Sequence, residues 1–143
     1  MQRSSELLAR ILVLAIVAAM FVGSGSVSAQ QAPRIAGIYS SMHYIPEAGD
    51  VLGEEIKIVA SGKGYRGFLQ FAEGSPSEVI EVDVKVVGAT VSFVIPDDNF
   101  YAGQFAGTVV NGVLKGKFRF KNGGSEKVAL RKGKSYWDKR PTN

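Results

Sequence analysis

The chain has 143 residues, a formal net charge of +4 and no cysteine. This length supports one domain, and the lack of cysteine excludes disulfides, thiol catalysis, thiolate metal sites and acylation of a lipoprotein cysteine. Charge is uneven: residues 30–99 hold five Lys or Arg against ten Asp or Glu, whereas residues 100–143 hold ten against two.

The first 29 residues have the pattern of a secretory signal peptide. Arg3 and Arg10 lie at the start of an almost wholly apolar run over residues 7–22, and small residues lead up to Ala29. A basic start, a short apolar core and a small-residue cleavage site are typical of such peptides. The run is shorter than the ~20 residues of a spanning helix. We expect export to the periplasm or the cell exterior, with anchoring by an uncleaved N-terminal helix as the alternative.

Cleavage after Ala29 divides the chain into a signal peptide and a mature domain. We assign residues 30–35 to a short linker, residues 36–132 to a β-barrel domain and residues 133–143 to a C-terminal tail. A core of this size can form without disulfides. We expect no transmembrane span after cleavage and no nucleic-acid partner, because an exported chain rarely meets nucleic acid.

Alternation of apolar and polar side chains with a period of two recurs after residue 36, and no helical period exceeds one turn. The predicted strands lie at residues 37–45, 54–60, 65–72, 78–87, 91–95, 104–110, 113–121 and 127–131. Short strands joined by tight turns predict an all-β fold, an eight-stranded antiparallel up-and-down β-barrel. The alternation predicts outward faces for Glu54, Glu55, Glu81 and Asp83.

Asn111-Gly112 predicts a two-residue hairpin, because a type I′ turn requires positive φ at both central positions. The turn sets the register of the two flanking strands. The predicted inner pairs are Val109/Leu114, Gly107/Gly116, Phe105/Phe118 and Gly103/Phe120, and the predicted outer pairs are Thr108/Lys115, Ala106/Lys117 and Gln104/Arg119.

The glycine pair of this hairpin leaves a gap on the inner face, because glycine in a strand marks close approach by another group. Either a bulky side chain fills the gap, as in small barrels that alternate small and large residues, or a ligand does. The lumen candidates for ligand binding are Tyr39, Phe93, Phe105, Gly107, Gly116, Phe118 and Phe120.

Two further features outside the lumen have alternative interpretations. The basic row Lys115, Lys117 and Arg119 is either a solvated strand face or a surface that attracts an anionic envelope component. Trp137, the only tryptophan, is either a lid that packs one barrel end or an aromatic contact at the rim of the barrel mouth.

The run GQFAGTVVNGVLKGKFRFKNGG…KVALRKG resembles the closing strands of a secreted bacterial β-barrel domain of the lipocalin-like, or calycin-like, type. The segments GIY at 37–39, GYRGFL at 64–69 and TVSF at 90–93 resemble its opening and middle strands, so the resemblance covers about residues 36–132. Such domains occur alone or ahead of exported α/β-hydrolases and peptidases. The resemblance implies no established chemistry, and it implies that Arg131 covers Tyr39 as a closure device.

No motif of catalysis is present in the sequence. The only histidine is His43, in the first strand, and no Gly-x-Ser-x-Gly elbow occurs. Asp97-Asp98-Asn99 lacks the spaced oxygens of a Ca²⁺ loop and predicts an Asx-type turn. We expect no metal, no cofactor and no enzyme activity. The sequence favours an exported binding module for a small apolar or amphipathic ligand, with a protein- or envelope-interaction module as the alternative.

Overall fold

The structure, a computed structural model, describes residues 34–62 and 64–139. The predicted signal peptide lies outside these residues, together with most of the linker and the end of the tail. In the described part, no helix is long and apolar enough to cross a bilayer.

The described residues form strands throughout, ending in a single 3-10 turn at Trp137–Lys139. The strands are β1 (Gly37–Ser40), β2 (His43–Ile45), β3 (Asp50–Ser61), β4 (Gly64–Gly74), β5 (Ile80–Val87), β6 (Thr90–Ile95), β7 (Gly103–Val110), β8 (Val113–Phe120) and β9 (Ser125–Gly133). β1 and β2 keep one register against β3, and the Ser41 amide between them donates to the Glu54 carbonyl at 2.8 Å. They are therefore one interrupted strand, and the prediction of eight strands is confirmed.

When β1 and β2 are counted as one strand, each strand pairs antiparallel with the next along the chain, and β1 pairs with both β3 and β9. The β1–β9 pairing closes the sheet into a barrel, as predicted, and leaves β1 without a free edge. A closed antiparallel barrel of eight strands is consistent with a lipocalin-like fold. Most connections are short because the topology is up-and-down, so neighbours in sequence are neighbours in space.

The β7–β8 hairpin has the register predicted from its turn, from Val110↔Val113 to Gly103↔Phe120. Asn111 and Gly112 have φ values of 50° and 73°, the left-handed conformation that a type I′ turn requires at both positions.

The gap at the glycine pair is filled by the ring of Phe105, from the same strand as Gly107. A Cβ on Gly107 would lie 2.8 Å from Phe105 Cζ, and a Cβ on Gly116 would lie 2.6 Å from the Ala106 carbonyl oxygen and closer still to the Phe105 ring. Phe105 also stacks on Phe93, with ring centroids 4.9 Å apart. The glycines therefore make room for an aromatic side chain of the core.

Tyr39 is fully buried at the end of the barrel where the chain enters, and its hydroxyl donates to the Ile35 carbonyl oxygen at 2.8 Å. The base over its ring is Lys132, whose Nζ lies 5.4 Å from the ring centroid and also donates to the Arg34 carbonyl. Arg131 instead pairs with Ser40 in the ladder. A base therefore covers Tyr39, as the resemblance implies, but the residue is Lys132 and not Arg131. The reason is that Lys132 belongs to the alternate positions of β9 that face the barrel interior.

The C-terminal clasp, residues 135–139, packs on the outer wall of the barrel over β3 and β4. Ser135 Oγ and the Tyr136 amide donate to the Glu55 carboxylate at 2.5 and 2.7 Å, and Trp137 Nε1 donates to Gln70 Oε1 at 2.9 Å. Glu55 faces outward, as predicted, but the clasp buries it to 7% exposure.

Replacing Gly116 with alanine is expected to destabilise the barrel by about 1–3 kcal/mol, because the new methyl group overlaps the Phe105 ring and the Ala106 carbonyl. The free energy of unfolding would be measured by urea titration followed by far-UV circular dichroism.

The matched control is Gly133→Ala, in a strand but with open space around the added Cβ; we expect it within about 0.5 kcal/mol of wild type. Equal stability of Gly116→Ala and Gly133→Ala would contradict this account of the core.

Candidate functional site

The ladder between β5 and β6 ends early. Its register partners are Val87↔Thr90, Val86↔Val91 and Lys85↔Ser92, and no further pair joins the two strands. β5 nevertheless begins at Ile80 and β6 extends to Ile95. The barrel wall therefore has a seam over the other half of these strands.

A groove with a volume of about 680 Å³ lies over this seam. Its floor contains the inward-facing side chains Val82, Phe93 and Phe105, and Val94 lies beside them with 64% of its surface exposed. Long polar side chains form the walls: Arg66, Glu81, Asp83 and Lys85 on one side, and Gln104 and Arg119 on the other. Ala106 leaves the space between the walls open.

The charges of the groove are only partly paired. Arg66 Nε lies 2.9 Å from Glu81 Oε1 and 3.7 Å from Asp83 Oδ1, so one base serves two acids of the same wall. Lys85 and Arg119 also line the groove, and neither forms an ion pair with a carboxylate of the described residues. These two bases are available to a ligand.

A second concavity, of about 370 Å³, lies at the barrel mouth where β2, β3, β4 and β9 meet. Three of its lining residues are glutamates, Glu54, Glu73 and Glu126. Glu54 accepts a hydrogen bond from Ser41 Oγ at 2.7 Å and is only 8% exposed. The prediction that Glu54 faces outward is wrong: it shares the parity of Ile56 and points inward.

The proximity of these carboxyl groups affects their ionisation. Partial burial, the charge of Glu54 and a hydrogen bond with it, and the charge of Glu73 together raise the pKa of Glu126 above its usual 4.5. Burial, with the charge of Glu73, likewise raises the pKa of Tyr101. Among the described residues, no group of three or more acids and histidines is placed to hold a metal ion.

The structure separates the predicted lumen residues. Phe93 and Phe105 form part of the groove floor, whereas Phe118 is buried in the core and Phe120 stacks on it with centroids 5.8 Å apart. Tyr39 is in the core at the opposite end. Lys115, Lys117 and Arg119 lie on the outer face of β8, as their register predicts.

Trp137 lies on the outer wall within the clasp, away from both barrel ends. His43 is exposed, and its Nδ1 lies 3.0 Å from the Ser41 carbonyl oxygen. Asn99 Oδ1 accepts from the Tyr101 amide at 2.9 Å, which is the Asx turn expected at this position.

Sequence reasoning missed the groove, because alternation shows which way side chains point but not where two strands stop pairing. Pro96 directly after β6 and the apolar Val94 on an outer face are the local signals that mark the place.

Comparison of the chain with protein-family models, with curated proteins and with solved structures finds no match.

The substitution Glu126→Gln is expected to raise the melting temperature at pH 7. Because the folded state raises the pKa of Glu126, the native protein binds this proton more tightly than the unfolded chain does. Wild-type stability therefore falls as pH rises from about 4.5 through the raised pKa, and the glutamine removes that loss.

Melting temperatures of both proteins would be measured from pH 4 to pH 7. The gain should be largest at pH 7 and vanish toward pH 4, while the control Glu47→Gln, in the exposed turn after β2, should show none. A gain of equal size at every pH would refute the electrostatic explanation.

Proposed function

We propose that this protein is an exported, non-catalytic binding module that holds a small amphipathic ligand in the groove over the β5–β6 seam. The observation that carries the proposal is the combination of an apolar floor with charged walls in a concavity of about 680 Å³. Small-molecule sites are typically concavities of about 300–1,000 Å³ with apolar lining and a few polar groups.

The position of the ligand differs from the sequence-based expectation of the lumen centre. The Phe105 ring occupies the space at the glycine pair, so a ligand has no room there. Two of the predicted lumen residues, Phe93 and Phe105, still contribute to the floor, but a ligand would reach them from outside through the wall.

The walls favour a ligand with an anionic head group. Arg66 is shared between Glu81 and Asp83, and Lys85 and Arg119 have no ion-pair partner among the described residues. With three bases against two acids, the lining of the groove has a net positive charge. An apolar body would lie along Val94, which is 64% exposed, so that contact removes apolar surface from water. Its anionic end would reach one of the two bases, Lys85 or Arg119.

Export rests on the signal-peptide pattern of residues 1–29, with a membrane-anchored form as the alternative. The proposal includes a bacterial origin of the protein, which the resemblance to a secreted bacterial β-barrel domain implies.

The probe for this proposal is anilinonaphthalene sulfonate, an apolar fluorophore with an anionic group. We expect saturable fluorescence enhancement with wild-type protein and at least a roughly tenfold weaker dissociation constant for Ala106→Phe, in which the new ring occupies the open space between the walls. Fluorescence titration of the folded proteins would measure both constants.

Ala129→Phe is the matched control, because Ala129 is also an exposed outer alanine of a strand but lies on β9, outside the groove. We expect wild-type affinity from it. Amide chemical-shift changes on probe binding should surround Val82, Val94 and Ala106. Changes centred instead on Glu54 and Phe71 would overturn the assignment of the groove as the binding site and would place the site at the barrel mouth.

A further inference from the structure

The outer face of β8 and β9 is basic. Register places Lys115, Lys117 and Arg119 of β8 next to the outward-facing positions 129, 127 and 125 of β9, and Val113 next to Arg131. The outward positions of β7 add only Gln104, Ala106, Thr108 and Val110. We call the five bases Lys115, Lys117, Arg119, Lys127 and Arg131 the basic face.

The fold gives this face no counter-charge. Lys117 and Lys127 stand directly opposite each other in the ladder, an arrangement of like charges that destabilises a sheet. No ion pair joins any base of this face to a carboxylate among residues 34–62 and 64–139. The folded protein thus keeps the repulsion between Lys117 and Lys127. Binding of an external anionic partner would reduce this repulsion.

Aliphatic side chains lie at the end of the basic face near the β7–β8 turn. Val110 is 50% exposed and pairs with Val113, which in turn pairs with Arg131. Exposed aliphatic side chains beside bases suit the boundary between lipid head groups and acyl chains, where apolar contact and charge attraction act together. A soluble polyanion would use the bases but gain nothing from Val110.

We propose that the basic face docks this protein peripherally on an anionic lipid bilayer. The bases attract the negative head groups, and Val110, beside the Asn111-Gly112 turn of the β7–β8 hairpin, enters the interface. The groove over the β5–β6 seam shares Arg119 with the basic face, but Lys117 and Lys127 do not line it. Variants of these two lysines therefore test docking separately from the ligand proposed for the groove.

Vesicles of phosphatidylcholine with and without phosphatidylglycerol would be sedimented with the mature protein. We expect binding only to the anionic vesicles, weakening steeply as salt rises. The double variant Lys117→Gln/Lys127→Gln should bind at least roughly tenfold more weakly. The matched control Lys57→Gln/Lys134→Gln removes the same charge at exposed positions outside the basic face, and it should bind nearly as wild type does.

Lys127→Glu separates docking from folding. Replacing one lysine of the opposed pair by an acid converts repulsion into attraction, so the melting temperature should rise while vesicle binding falls. Equal loss in the two double variants would overturn the proposal, as would binding that is insensitive to salt. Binding to dextran sulfate without binding to anionic vesicles would overturn the lipid assignment in favour of a polyanion.

Discussion

The contact between the Phe105 ring and the glycine pair determines how this barrel can be used. Because neither Gly107 nor Gly116 has a side chain, the ring lies against the barrel wall in the space that two Cβ atoms would otherwise occupy. The same ring stacks on Phe93 and also contacts the ring of Phe118. The centre of the barrel is therefore occupied by its own aromatic side chains. The concave surfaces therefore lie elsewhere, in the groove where β5 and β6 stop pairing and at the barrel mouth.

Much of the fold was predictable, because it depends on local rules. Alternation identified the eight strands, and the positive φ requirement at Asn111-Gly112 fixed the register of a whole hairpin. The rest depends on contacts between distant residues. The alternation of side chains could not show whether a ligand or Phe105 fills the gap beside the glycine pair. The position at which β5 and β6 stop pairing leaves no mark in the alternation of apolar and polar residues. Glu55 looked like a solvated outer carboxylate, and only the clasp, some 80 residues later, makes it a buried acceptor. Lys132 was missed over Tyr39 because assigning the closing base requires the exact register of β1 against β9.

The up-and-down topology converts charge asymmetry along the chain into asymmetry around the barrel. Consecutive strands are spatial neighbours, so the base-rich final strands form one contiguous side, and the acidic side chains of β3 to β5 lie elsewhere. The acid–base pairs around Arg66 border the seam, whereas the face of β8 and β9 has bases alone. One small domain can in this way present two chemically distinct surfaces without any inserted loop or second domain.

The clasp has a practical consequence for following this protein in solution. Trp137 is the only tryptophan of the chain, and its indole is hydrogen-bonded to Gln70 on the outer wall. Its emission therefore reports chiefly on whether the last residues are seated, and the barrel beneath them contributes only tyrosine signal. A fluorescence transition that precedes the loss of far-UV ellipticity would report release of the chain end from an intact barrel. A tag fused at the C-terminus would first change the emission of Trp137.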